Sequence, residues 1–215
     1  MTSVYLDILF RWAHVLFGIT WIGLLYYFNF VQGEYFKEAN KDALADVKSK
    51  LATRALWWFR WGAMFTFITG FVLLGMVGQA TNGFLLMGAV LGTFMMLNVW
   101  LIIWPHQKVV LGLKEGDIPT SAGKAGLASR TNTLFSAPML MGMLASKHGG
   151  AFAAGSGLAP IANGLSTGLM AVLGLAVVLE LNAIFGKMGP MASVKGVIHM
   201  SILLTAAMVA LLVYV

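Results

Sequence analysis

Residues 11–31 read RWAHVLFGITWIGLLYYFNFV. Apart from its first and fourth residues, the stretch is apolar and long enough to cross a bilayer, which takes about 20 residues of helix. Arg11 and His14 sit three residues apart at its start. Each polar group costs free energy in hydrocarbon, and neither has an obvious local partner. Such residues are kept in a span for a reason, and the rest of the sequence narrows what that reason is.

The surrounding composition agrees with a membrane solvent. Of the 215 residues, 59% are hydrophobic and only 10% charged, against about 25% charged in a typical soluble domain. So few charges cannot cover a water-facing surface, and the chain reads as an integral membrane protein. Its length fits a single domain, residues 1–215. The first apolar run exceeds a signal-peptide core, and no small-residue cleavage site follows it, so it reads as a permanent first helix. There are no cysteines. That excludes disulfides, thiolate metal sites, iron–sulfur clusters and a CxxCH haem attachment within these residues, and leaves His, Met, Asp and Glu as ligands.

Six apolar runs are candidate spans: 4–31, 55–78, 84–112, 125–146, 160–185 and 191–215. The expected fold is all-α, a polytopic bundle of about six transmembrane helices. The fourth run, AGLASRTNTLFSAPMLMGMLAS, is the most polar, with Arg130, Asn132 and Pro138, and its start could be interfacial. Residues 32–54, QGEYFKEANKDALADVKSKLATR, are strongly charged. Ala39, Ala43, Leu44, Val47 and Leu51 recur there at helical spacing, which predicts an amphipathic helix at the membrane surface. QATNG at 79–83 and GKMGP at 186–190 read as turns, KEGDIPTSAG at 114–123 as a polar loop, and KHGGAFAAGSG at 147–157 as a Gly-rich loop.

With six spans, loops 1–2, 3–4 and 5–6 share one side. They and their helix ends carry Lys37, Lys41, Lys48, Lys50, Arg54, Lys108, Lys114, Lys124, Lys187 and Lys195. The other side has Lys147 and Arg11. The positive-inside rule then puts both termini outside. The expected location is a bacterial inner membrane, multi-pass, with periplasmic termini. The net charge of +6 is read as topology and anionic-lipid contact, not nucleic-acid binding.

Two sets of polar residues stand out within the spans. His14 lies about ten residues, or roughly 15 Å, from the outer end of the first span, and His199 lies inside the sixth. Two neutral imidazoles on separate helices at similar depth are what an intramembrane b-type haem needs as axial ligands. Gly18 and Gly196 keep the two helix faces low for a flat ring. The plainer reading is two histidines, each hydrogen-bonded to a neighbouring helix. His148, in the Gly-rich loop, is a further candidate ligand, and Arg11 a candidate propionate contact.

The second set occupies the opposite half: Arg60, Arg130, His106 and Glu180, with Asn98, Asn132 and Asn182 nearby in depth. Two arginines and one carboxylate do not cancel. They form either an anion or haem-propionate pocket, since guanidinium forks match carboxylates, or an Arg–Glu lock with the second Arg snorkelling to headgroups. WWFRW at 57–61 and Trp104 read as interfacial anchors. Fourteen methionines, MLMGM at 139–143 among them, could ligate metal but more commonly fill cores.

RWAHVLFGITWIGLLYYFNFVQ, WWFRWGAMFTFITGFVLL, NVWLIIWPHQKVV and ASRTNTLFSAPMLMGMLASKHG together resemble the membrane domain of the bacterial integral-membrane urate oxidase/hydroxylase family. Members of that family often carry a C-terminal c-type cytochrome. More distantly, a helix-1 histidine followed by a Trp-Ile-Gly stretch is similar to HemJ-type protoporphyrinogen oxidases and CopD-type copper proteins. The resemblance implies a membrane redox protein with b-type haem. His14 would be the leading axial ligand, and His199 or His148 its partner. Without a cysteine for a tethered c-type haem, electrons would pass to a separate acceptor: a soluble cytochrome c, a quinone or a respiratory complex.

Three readings follow. The first is a membrane haem b oxidoreductase or electron-transfer protein. The second is a non-enzymatic accessory or assembly subunit of a larger complex, with its polar residues serving helix packing. The third is a copper-handling or transport protein. The expected partners are the lipid bilayer and an electron acceptor, with a homo-oligomer or a larger complex as the assembly and no nucleic acid.

Overall fold

The computed structural model describes residues 2–152 and 155–215. Positions 153 and 154 of the Gly-rich loop lie outside the described residues. The described chain is all-α, built on six long helices. These are α1, Val4–Glu38; α2, Lys41–Ala80; α3, Gly83–Val110; α4, Ile118–His148; α5, Thr167–Phe185; and α6, Val194–Tyr214. All but α4 are long and apolar enough to cross a membrane, so the chain is a membrane protein. Helix direction alternates, leaving one end of the bundle with both termini and the other with the basic connections.

The helix ends follow local chemistry. Asn40, Asn82, Asp117, Ser166 and Ser193 each accept a backbone N–H three residues on, which satisfies groups a helix start leaves unpaired. The charged 32–54 segment is helical but is not the separate amphipathic surface helix expected: its first part completes α1 and, after the break at Ala39 and Asn40, its second part opens α2. Besides the end of α1 and the start of α2, two further expected boundaries move. Helix α4 begins at Ile118 inside the expected polar loop, because Asp117 caps it and Pro119 suits a first turn. Helix α5 begins at Thr167, seven residues after its run starts. Pro160 and Gly164 (φ +113°) interrupt the run, and residues 160–161 instead bond to the turn at Thr81 and Asn82.

Helix α4 is the polar run because it is the central helix. It packs against α1, α3, α5 and α6, and its Ser121, Thr131, Asn132, Thr133 and Ser136 are buried. Helix–helix contact in lipid gains from small residues that let backbones approach. A Cβ on Gly142 would lie 2.6 Å from the Phe84 carbonyl oxygen of α3. Pro138 interrupts the α4 hydrogen-bond ladder, since it has no N–H to return to the carbonyl of Leu134. Ser201 of α6 supplies the replacement: its hydroxyl donates to Leu134 O at 2.8 Å.

Helices α1 and α2 pair along their length. The second half of α1 then docks on α4: Tyr26 Oη meets Ser136 Oγ at 2.8 Å, and Asn29 Nδ2 donates to Ser129 Oγ at 2.8 Å. Trp21, Leu25, Phe59, Phe84, Met95 and Phe135 fill the core between these helices. The first half of α1 exposes Tyr5, Ile8, Trp12, Val15 and Ile19, as a lipid-facing surface does.

Candidate functional site

His14 faces α2. Its Nδ1 lies 2.9 Å from the Thr66 carbonyl oxygen and 3.1 Å from Thr69 Oγ1. A carbonyl only accepts, so Nδ1 carries the hydrogen and Nε2 keeps its lone pair. The ring has room because position 70 is glycine: a Cβ there would lie 2.8 Å from His14 Cε1. This is the arrangement of a ligating histidine, whose second nitrogen is fixed by donation to an acceptor. It is also the arrangement of a histidine that ties two helices.

Arg11 has a local partner. Its Nε and Nη2 donate to Asp7 Oδ2 and Oδ1 at 2.7 and 2.9 Å, one turn back along the same helix. The signal was present in the sequence as an Asp and Arg four apart. The pairing also places Arg11 in an ion pair facing the termini end.

The other two histidines sit elsewhere. His199 is on an exposed face of α6, and His148 is exposed at the last turn of α4. Helix α6 packs on α4 and α5, whereas both hydrogen-bond partners of the His14 ring, and the glycine that makes room for it, are on α2. The described contacts therefore do not bring these rings together. No group of three or more His, Asp or Glu with metal-binding spacing occurs among the described residues.

The second set divides into three parts. Asn98, fully buried in α3, donates through Nδ2 to Asn132 Oδ1 and to Glu180 Oε2, both at 3.0 Å. Asn132 in turn donates to the Met95 carbonyl at 2.9 Å. This network ties α3, α4 and α5 together. The Arg60 guanidinium lies 3.5 Å from the centroid of Trp104, a cation–π contact joining α2 to α3. His106 approaches Ser121 at 3.4 Å near the basic end.

No ion pair joins Glu180 to Arg60 or Arg130: the ion pairs among the described residues are Arg11–Asp7, Lys37–Glu34 and Lys50–Asp46. The expected Arg–Glu lock is therefore not formed. Instead, Arg60 Nε and Arg130 Nη1 are buried without a protein acceptor, as are the indole Nε1 groups of Trp21 and Trp100. Buried N–H groups of this kind are rare and need an account. Sequence reading singled out the two arginines but not the two tryptophans, which look like ordinary core aromatics until their N–H groups are followed. Asn98 opens a wide helical turn, Asn98–Ile103, that contains Trp100. Pro105 lies two residues beyond its end, with no N–H to return to Leu101, and such wide turns concentrate at functional sites.

Residues 76–171 match the family model described as Urate oxidase N-terminal. The matched stretch runs from the end of α2 through α3 and α4 into α5. It holds Asn98, His106, Arg130, Asn132 and His148, while His14, Arg60, Glu180 and His199 lie outside it. Two of the four motifs that carried the sequence resemblance, at 98–110 and 128–149, fall within it. Searches of curated proteins and of solved structures found no match. Over these residues the chain is similar to the urate oxidase N-terminal family.

Proposed function

We propose that the chain is a membrane-embedded redox protein of the urate oxidase type that holds b-type haem through His14. The observation that supports it is the bond from His14 Nδ1 to the Thr66 carbonyl, which leaves Nε2 as the free donor atom that haem iron takes from histidine. The residues fit one axial ligand. A second from His199 or His148 has no support in the described contacts, so the reading takes a single-histidine form. Bound haem would supply one-electron chemistry.

The protein's own residues have separate tasks in this reading. Thr66 and Thr69 hold the ring orientation, and Gly70 leaves room for the ring. Arg60 and Arg130 offer unpaired guanidinium N–H groups to an anionic substrate or to propionates. The electron acceptor is a separate molecule: a cytochrome c, a quinone or a respiratory complex. The setting is a bacterial inner membrane crossed several times, with the termini on the periplasmic side, and the support is the ten-to-two distribution of Lys and Arg.

A reduced-minus-oxidised spectrum of protein purified in detergent after haem-replete expression tests this. The reading expects b-type bands that disappear in His14→Ala and persist in His199→Ala. Their absence from the wild type overturns haem binding, and their loss in His199→Ala overturns the single-histidine form. The accessory-subunit reading draws its own support from Asn98, Asn132 and Glu180, which serve helix packing without needing a cofactor.

A further inference from the structure

At the basic end, the start of α4 and the end of α5 flank a cleft of about 450 Å³. It is lined by Thr120, Gly123 and Lys124 on one side and by Phe185 and Lys187 on the other, with Leu127 and Met188 among its apolar walls. Lys124 and Lys187 are exposed and belong to none of the ion pairs among the described residues. Beside them Phe185 is 82% exposed and Ile184 44%. A large aromatic at the end of a membrane-crossing helix is exposed to lipid rather than to water.

We propose that this cleft is a binding site for an anionic phospholipid. The cleft combines two features at one place. Two lysines that belong to none of the described ion pairs line it, and apolar side chains on the same wall lead toward the hydrocarbon. Basic clefts between membrane helices on the cytoplasmic side bind anionic headgroups in this way. Glycines 123 and 186 keep the walls low. The ligand is a whole lipid and not free phosphate, because the larger part of the lining is apolar: Leu127, Ala183, Ile184, Phe185 and Met188. The site lies at the opposite end of the bundle from His14 and does not depend on haem.

Native mass spectrometry of the full chain released from detergent containing phosphatidylglycerol or phosphatidylcholine tests this, with Lys124→Gln, Lys187→Gln, their double variant and Lys48→Gln. The expected result is retained phosphatidylglycerol in preference to phosphatidylcholine. Affinity should fall roughly fivefold for each lysine removed, the effect of about 1 kcal/mol per cation, and should not change in Lys48→Gln. These exposed substitutions should leave the circular dichroism spectrum intact. Equal retention of both lipids overturns the proposal. So does an unchanged preference in the double variant, an equal loss in Lys48→Gln, or displacement of the lipid by millimolar inorganic phosphate.

Discussion

The imidazole of His14 in α1 is held by the carbonyl of Thr66 in α2, with Nδ1 and oxygen 2.9 Å apart. That one bond fixes which ring nitrogen carries hydrogen and which is free. It exists because α1 and α2 pair closely enough that Gly70 must lack a side chain. Any ligand role for His14 therefore depends on the α1–α2 interface as much as on the histidine itself.

Replacing Gly70 with alanine places a methyl group 2.8 Å from Cε1, closer than atoms tolerate, so the ring has to shift. The expected cost is about 1–3 kcal/mol, as for other overpacked sites, read as a lowered Tm in detergent. Nitrogen NMR of the ring should show Nδ1 protonated and Nε2 bare in the haem-free wild type. In Gly70→Ala that single-tautomer signature should be lost. A wild-type ring with its hydrogen on Nε2 would contradict the assignment, whatever the protein binds.

Asn98 offers one amide to two acceptors, and removing it should hurt more than neutralising either of them. Asn98→Ala leaves Glu180 Oε2 and Asn132 Oδ1 without their donor, at an expected cost of about 1–3 kcal/mol. Glu180→Gln keeps an oxygen facing Asn98 and should cost less. Chemical denaturation in mild detergent would rank them, and the double variant should lose less than the sum of the two singles, because the residues share one bond.

Acid should loosen the start of α4. The Asp117 carboxyl accepts from the Thr120 hydroxyl and backbone N–H, which holds its pKa below the ordinary aspartate value of 3.8. A lowered folded-state pKa means the carboxylate stabilises the helix at pH above the unfolded value, and this contribution is lost as pH falls through the folded one. Hydrogen exchange of the first-turn amides should therefore accelerate, relative to the intrinsic rate, below about pH 4 in the wild type. In Asp117→Ala they should already be unprotected at neutral pH.

How far the sequence reveals this molecule differs from helix to helix. Six long helices and the side of the basic connections can be read from apolar runs and charges, because lipid requires both. The polarity that makes the fourth run look doubtful marks the central helix, whose serines, threonines and asparagine face protein rather than lipid. Sequence period cannot show this, since a helix surrounded by other helices has no single apolar face. The same lack of contrast hides which way His199 points: α6 is apolar on every side, so only its neighbours decide that the imidazole stays outside. The Asp7–Arg11 pair and the interruption at Pro160 and Gly164 leave local signals, but the apolar runs around them point instead to an unpartnered Arg11 and a span starting at 160. The free indole N–H groups leave no such signal, because a missing partner becomes visible only when every neighbour is in place.

Ser201 and Pro138 give the sharpest test of the packing. Proline leaves the Leu134 carbonyl without its usual partner inside a buried helix, and Ser201 donates to it from α6 at 2.8 Å. Ser201→Ala should therefore strand a buried acceptor and cost about 1–3 kcal/mol. Pro138→Ala restores an N–H that can return to Leu134 within α4, so the same serine deletion should matter far less in that background. A double-mutant cycle on detergent unfolding measures the difference directly. A coupling indistinguishable from zero would mean that the serine hydroxyl contributes nothing through the carbonyl that proline frees, and that α6 is held on α4 by side-chain packing alone.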